Sequence, residues 1–101
     1  MRMMMTVLFP LEPFNTEVRN GTVGQTIGEI LEATKPESVH FVEQDGCRSA
    51  VMIVNVPDAS AIPALAEPWF LKFSANCSFR IAMTPDDLQK AGLAELGKKW
   101  G

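Results

Sequence analysis

The sequence predicts a single α+β domain: one four-stranded antiparallel sheet, helices on one of its faces, and a short helical extension at the C-terminal side. Three observations lead there. An Asp45-Gly46 pair separates two extended apolar runs, which is the strongest short-range signal of a β-hairpin. Amphipathic helical stretches flank that hairpin on both sides, and short strand-like runs lie beyond each of them. The 101 residues suit one core, since dividing them would leave two undersized ones.

The elements follow in order. Arg2–Phe9 is apolar and stopped by Pro10, as a strand would be. Residues 10–21 are rich in turn formers and are expected to be irregular, with at most one helical turn over 15–19, before the break at Asn20-Gly21. Thr22-Val23-Gly24-Gln25 matches a capping box. Val23, Ile27, Ile30, Leu31 and Thr34 then share a helical face, and Pro36 ends the helix near Thr34 or Lys35. The hairpin strands are Ser38–Gln44 and Cys47–Val56, the second closed by Pro57. Asp58 or Ser60 caps a second helix with Ile62, Leu65, Ala66, Trp69 and Phe70 at helical spacing, and Pro68 should kink or end it before Trp69. A last strand spans about Asn76–Met83. Thr84-Pro85-Asp86-Asp87 opens a helical tail over about 85–100, interrupted at Gly92.

Strand, helix, strand, strand, helix, strand is the split βαβ order, which puts the first and third strands at the centre of the sheet. Both of those strands are apolar on both parities. Met4 and Leu8 oppose Met5 and Val7, and Val51 and Ile53 oppose Met52, Val54 and Val56. An antiparallel sheet with one wet face alternates instead. Burying six such side chains contributes about 9 kcal/mol before association costs, so a second copy, sheet facing sheet, is the expected cover.

With this pattern the chain resembles the dimeric α/β-barrel superfamily, whose ferredoxin-like βαββαβ subunits pair their sheets into a barrel. The resemblance runs over Arg2–Met83 by topology. The Asp45-Gly46 hairpin and the Glu67-Pro68-Trp69-Phe70 segment look like those of a group of small bacterial members without assigned activity. It implies a homodimer. The superfamily includes cofactor-independent monooxygenases, lactone isomerases, haem-degrading and haem-binding enzymes and small stress-response proteins, and no catalytic motif from any branch maps onto these residues, so fold alone does not choose an activity.

Composition narrows the classes. The net charge of −3, with basic residues scattered, argues against nucleic acid as a partner. Cys47 and Cys77 with a single histidine, His40, do not make the usual four-ligand zinc set, and no metal is expected. The two thiols are expected to be reduced. No Walker A or G-x-G-x-x-G loop is present, so no nucleotide cofactor is expected either. The apolar start is interrupted by Pro10, Glu12 and Pro13 and reads as a strand rather than a secretion signal. No apolar run is long enough to span a bilayer, so no membrane role and a cytoplasmic location are expected.

Five residues are candidates for a site in an apolar pocket between sheet and helices. His40 is the natural proton-transfer group near neutral pH, against the alternative of a solvated strand residue. Glu67, held beside aromatics, suits an acid or base, against a solvent-facing helix position. Arg80 would pair with Glu67 or hold an anionic group. Trp69 and Phe70 would wall the pocket, against simple core packing. The expected function is binding of a small apolar or aromatic molecule by a homodimer, with cofactor-independent oxygenation or isomerisation as the implied chemistry. The alternative is a non-catalytic dimerisation, ligand-sensing or stress-response module.

Overall fold

The computed structural model describes residues 1–101, and its organisation starts from the hairpin. Asp45 and Gly46 both take positive φ, 52° and 80°, the pairing of angles that a tight two-residue turn between twisted strands requires. It joins β2 (Ser38–Gln44) to β3 (Cys47–Asn55), antiparallel with Gln44 opposite Cys47 and Ser38 opposite Ile53. β1 (Arg2–Leu8) lies antiparallel between β3 and β4 (Asn76–Ile81), Met5 facing Met52 on one side and Phe79 on the other. The order β2-β3-β1-β4 sets the first and third strands at the centre, as anticipated. This α+β architecture is compatible with a ferredoxin-like fold.

One face of the sheet carries the core. Met5 and Val7 of β1, and Ala50, Met52 and Val54 of β3, are buried with Ile30 of α2 (Val23–Thr34) and with Ala66, Trp69 and Phe73 of α3 (Ile62–Phe73). Both helices therefore cover the same face. Phe9, just past β1, stands edge-on to Trp69 at 5.8 Å and to Phe73 at 5.3 Å between ring centres, a geometry that the ring quadrupoles favour.

Four local expectations are revised. Residues 14–20 form a helix, α1 (Phe14–Asn20), closed by Gly21 in the left-handed conformation, where the turn-rich composition suggested irregular chain. Thr22 does not form the capping box: it has helical backbone angles, its hydroxyl turns back to Glu17, and Gln25 donates to Glu29 instead. α1 runs so directly into α2 that the box position is already within a turn. Pro68 does not stop α3, which continues to Phe73. The loss of about 3 kcal/mol from an interior proline is of the same size as the roughly 1.5–3 kcal/mol that each of the buried side chains beyond it contributes. β4 ends at Ile81, opposite Met3 and two residues before the expected end, with the Ala82 amide still reaching the Arg2 carbonyl at 3.2 Å.

Beyond β4 the chain leaves the body. Thr84 caps α4 (Pro85–Lys90): its hydroxyl accepts from the Asp87 amide at 3.1 Å, and the Asp87 carboxylate accepts from the Thr84 amide at 2.9 Å. Those bonds hold the Asp87 carboxyl below its ordinary range. α5 (Leu93–Trp100) starts after Gly92, again left-handed at φ 73°. No residue of α4 or α5 is buried. The projecting arm raises the radius of gyration to 17.1 Å and stretches the chain to 59 × 29 × 18 Å, against about 13 Å for a compact chain of this length. No helix is long and apolar enough to cross a membrane.

Candidate binding groove at the hairpin end

The space between sheet and α3, where the sequence suggests a pocket, is filled. Trp69 and Phe73 are fully buried and stack at 6.1 Å, so they are the packing rather than the walls of a cavity. The Trp69 indole N–H has no hydrogen-bond partner there. Glu67 and Phe70, on the turns beside it, are exposed on the outer side of α3.

His40 and Arg80 lie on the other face of the sheet. Strand register gives its rows directly: His40, Val51, Thr6 and Ser78 form one, and Ser38, Ile53, Met4 and Arg80 the next. His40 and Arg80 sit on opposite edge strands, with β3 and β1 between them, a span of roughly 14 Å at the usual strand spacing. The five candidate residues thus fall into three places: His40 and Arg80 on the uncovered sheet face, Glu67 and Phe70 outside α3, and Trp69 in the core. The uncovered face is apolar in the middle, with Met4, Leu8, Val51 and Ile53 half-buried only by their neighbours. Arg2 at its edge pairs with Glu37, Nε to Oε2 at 3.0 Å; that hydrogen bond raises the Arg2 guanidinium and lowers the Glu37 carboxyl.

A cavity of about 600 Å³ opens at the other end of the molecule, between the hairpin and α1–α2. Phe9, Phe14, Ile27 and Phe41 supply its apolar lining, and Glu43, Cys47 and Arg48 its polar rim. The local structure explains the placement. Phe9 and Phe14 flank the Pro10–Pro13 bend, which brings their rings to 5.1 Å. Phe41 and Glu43 project on the helix side of β2, where the strand outruns the helices, so Phe41 stays half exposed. Gly24 adds width: a side chain there would meet open space.

The charged rim is held rather than free. Arg48 lies over the Phe14 ring at 4.3 Å and donates to Asn15 Oδ1 at 2.7 Å. Glu43, opposite Arg48 in the register, accepts from the Gly46 amide through its carboxylate. Such a rim can orient a planar or weakly polar molecule over an aromatic floor. Behind it, the buried Ser49 hydroxyl donates to the Val7 carbonyl at 3.0 Å. The two cysteines are free and differ: Cys47 is exposed, whereas burial, with a smaller push from Glu67, raises the half-buried Cys77 thiol to about 11. No three His, Cys, Asp or Glu side chains gather closely enough to hold a metal ion.

Sequence reasoning missed this groove. The available signals were the Phe9 and Phe14 pair around a proline bend and the Glu43 and Arg48 pair flanking the hairpin turn; each is local, and only the packing of α1–α2 over the hairpin joins them. No protein-family model matches the chain, and no curated protein is similar enough in sequence to give a match.

Proposed function

We propose that this chain is a homodimeric ferredoxin-like protein that binds a small apolar or aromatic molecule in the hairpin-end groove. The groove carries the reading: an aromatic and aliphatic lining, a volume within the range of small-molecule sites, and a cation fixed over one ring. The dimer reading rests on the uncovered sheet face and on the resemblance to the dimeric α/β barrels. Only 13 of 101 residues are buried in one copy, few for a chain meant to stand alone.

Binding without catalysis is the favoured form, because the groove's charged groups are already committed to Asn15, Phe14 and the turn amide. His40 and Arg80 then serve the dimer, lining the space between facing sheets. Titration with 8-anilinonaphthalene-1-sulfonate tests the groove. Wild-type protein is expected to enhance its fluorescence saturably, and Phe41→Ala to weaken binding by about tenfold, as loss of one ring's contact implies. Equal affinity in the two proteins refutes the site.

A further inference from the structure

The arm beyond β4 is built to be covered. Its exposed apolar side chains include Leu88, Leu93, Leu96 and Trp100, the last 77% exposed, preceded by Ile81 and Met83 at the end of the strand. Leu93, Leu96 and Trp100 fall at i, i+3 and i+7 and so share one face of α5. A helix of eight residues is too short to persist in water on its own propensity. At exposures of 45–77% these six side chains still offer roughly 200–450 Å², taking the area that corresponds to the usual transfer energy of each, which adds to a sheet-to-sheet contact toward the ~800 Å² per partner of an ordinary stable interface.

The same chain holds a matching surface that the arm leaves unfilled. The groove lies at the Leu8 end of β1, and the arm departs from the Met3 end, where Ile81 pairs, and points away. Five residues of strand, roughly 17 Å, separate the two. One charge pairing, of the α5 lysines with Glu43, is on offer as well. Lys98 and Lys99 precede Trp100 on the last turn of α5, and the groove's rim carries Glu43 as well as Arg48, whose guanidinium is held over the Phe14 ring. Two sheets packed face to face with their strands running oppositely set the arm root of one copy beside the groove end of the other.

We infer that the arm crosses to a second copy and seats its Leu93-Leu96-Trp100 face over that copy's hairpin groove, so that each ligand site is closed by its partner's Trp100. The inference rests on the proposed dimer and groove, and it names the piece that completes them. It accounts for an apolar arm and an open aromatic groove with a single contact, made twice by symmetry.

The test uses Gly97→Cys, a position on the docking face where a side chain meets open space, in the full-length chain. Cys47 on the groove rim supplies the second thiol. A short bis-maleimide is expected to link the introduced thiol to Cys47 between chains, giving a two-chain band that the wild-type protein gives several-fold less. A link within one chain, or none while the solution mass is that of two chains, overturns the proposal. An independent reading is acrylamide quenching of Trp100, isolated as the difference between wild type and Trp100→Phe. Protection several-fold greater than for free indole, lost on dilution, supports seating; full solvent access in the two-chain species refutes it. Failure of 8-anilinonaphthalene-1-sulfonate to bind while the crosslink forms would sink the ligand site and leave arm exchange standing.

Discussion

Val51→Lys separates a sheet that is wet from one that is covered. Val51 occupies the middle of the uncovered face, between His40 and Thr6 in its row and beside the row of Met4 and Ile53. In a lone subunit the lysine stem lies along these neighbours with its ammonium in water. The change then costs only the strand preference of valine, at most about 1 kcal/mol. Between two facing sheets each copy would bury one unpaired ammonium, at several kcal/mol per ion. Two of them, at roughly 3 kcal/mol each, weaken the dimer by about 10⁴-fold in Kd. Light scattering across a dilution series reads the mass, and urea unfolding of the dissociated protein reads the intrinsic cost. The expected result is a folded monomer at concentrations where the wild type is a dimer. A two-chain mass with Kd within tenfold of wild type would refute the face-to-face arrangement.

Trp69→Ala should destabilise by about 3–5 kcal/mol in urea melts, as a fully buried ring among Phe9 and Phe73. Trp69→Phe should cost less than half of that, because it also removes the unpartnered indole N–H. Pro68→Ala should raise stability by about 1–3 kcal/mol by restoring an interior helix bond; a loss would show that the ring itself is needed in the packing of α3. Cys77 should react with iodoacetamide far more slowly than Cys47, its rate still climbing between pH 10 and 11 in mass-spectrometric labelling. Its folded thiol lies above the unfolded value of about 8.5, so its stabilising contribution is complete below that pH and is lost as pH rises through 11. Wild type should therefore lose more Tm than Cys77→Ser over that window.

How much could be read from the chain differs by element, for physical reasons. The hairpin was legible because the positive φ of Asp45 and Gly46 is a local steric matter. The order of the strands and of the helices other than α1 followed from periodicity, and the split βαβ order put β1 and β3 at the centre. Thr84 and Asp87 form the expected cap because each needs nothing beyond its own turn. Thr22 and Pro68 went the other way. The first is decided by how α1 meets α2, and the second by the burial of Trp69 and Phe73 against the sheet.

The candidate residues show the same division. Sequence identified His40, Glu67, Trp69, Phe70 and Arg80 by chemistry, but proximity is a property of packing. Strand parity sends His40 and Arg80 to the face away from α3, and helical phase turns Trp69 inward while Glu67 and Phe70 face out. The groove joins Phe9 after β1, Phe14 of α1, Ile27 of α2, Phe41 of β2 and Arg48 of β3, and no local pattern encodes that meeting. The sequence by itself determined the α+β class, the hairpin and the excess of apolar surface, because these follow from local sterics and composition. The tertiary structure alone decided which apolar residues fill the core, which wall the groove and which ride outward on the arm.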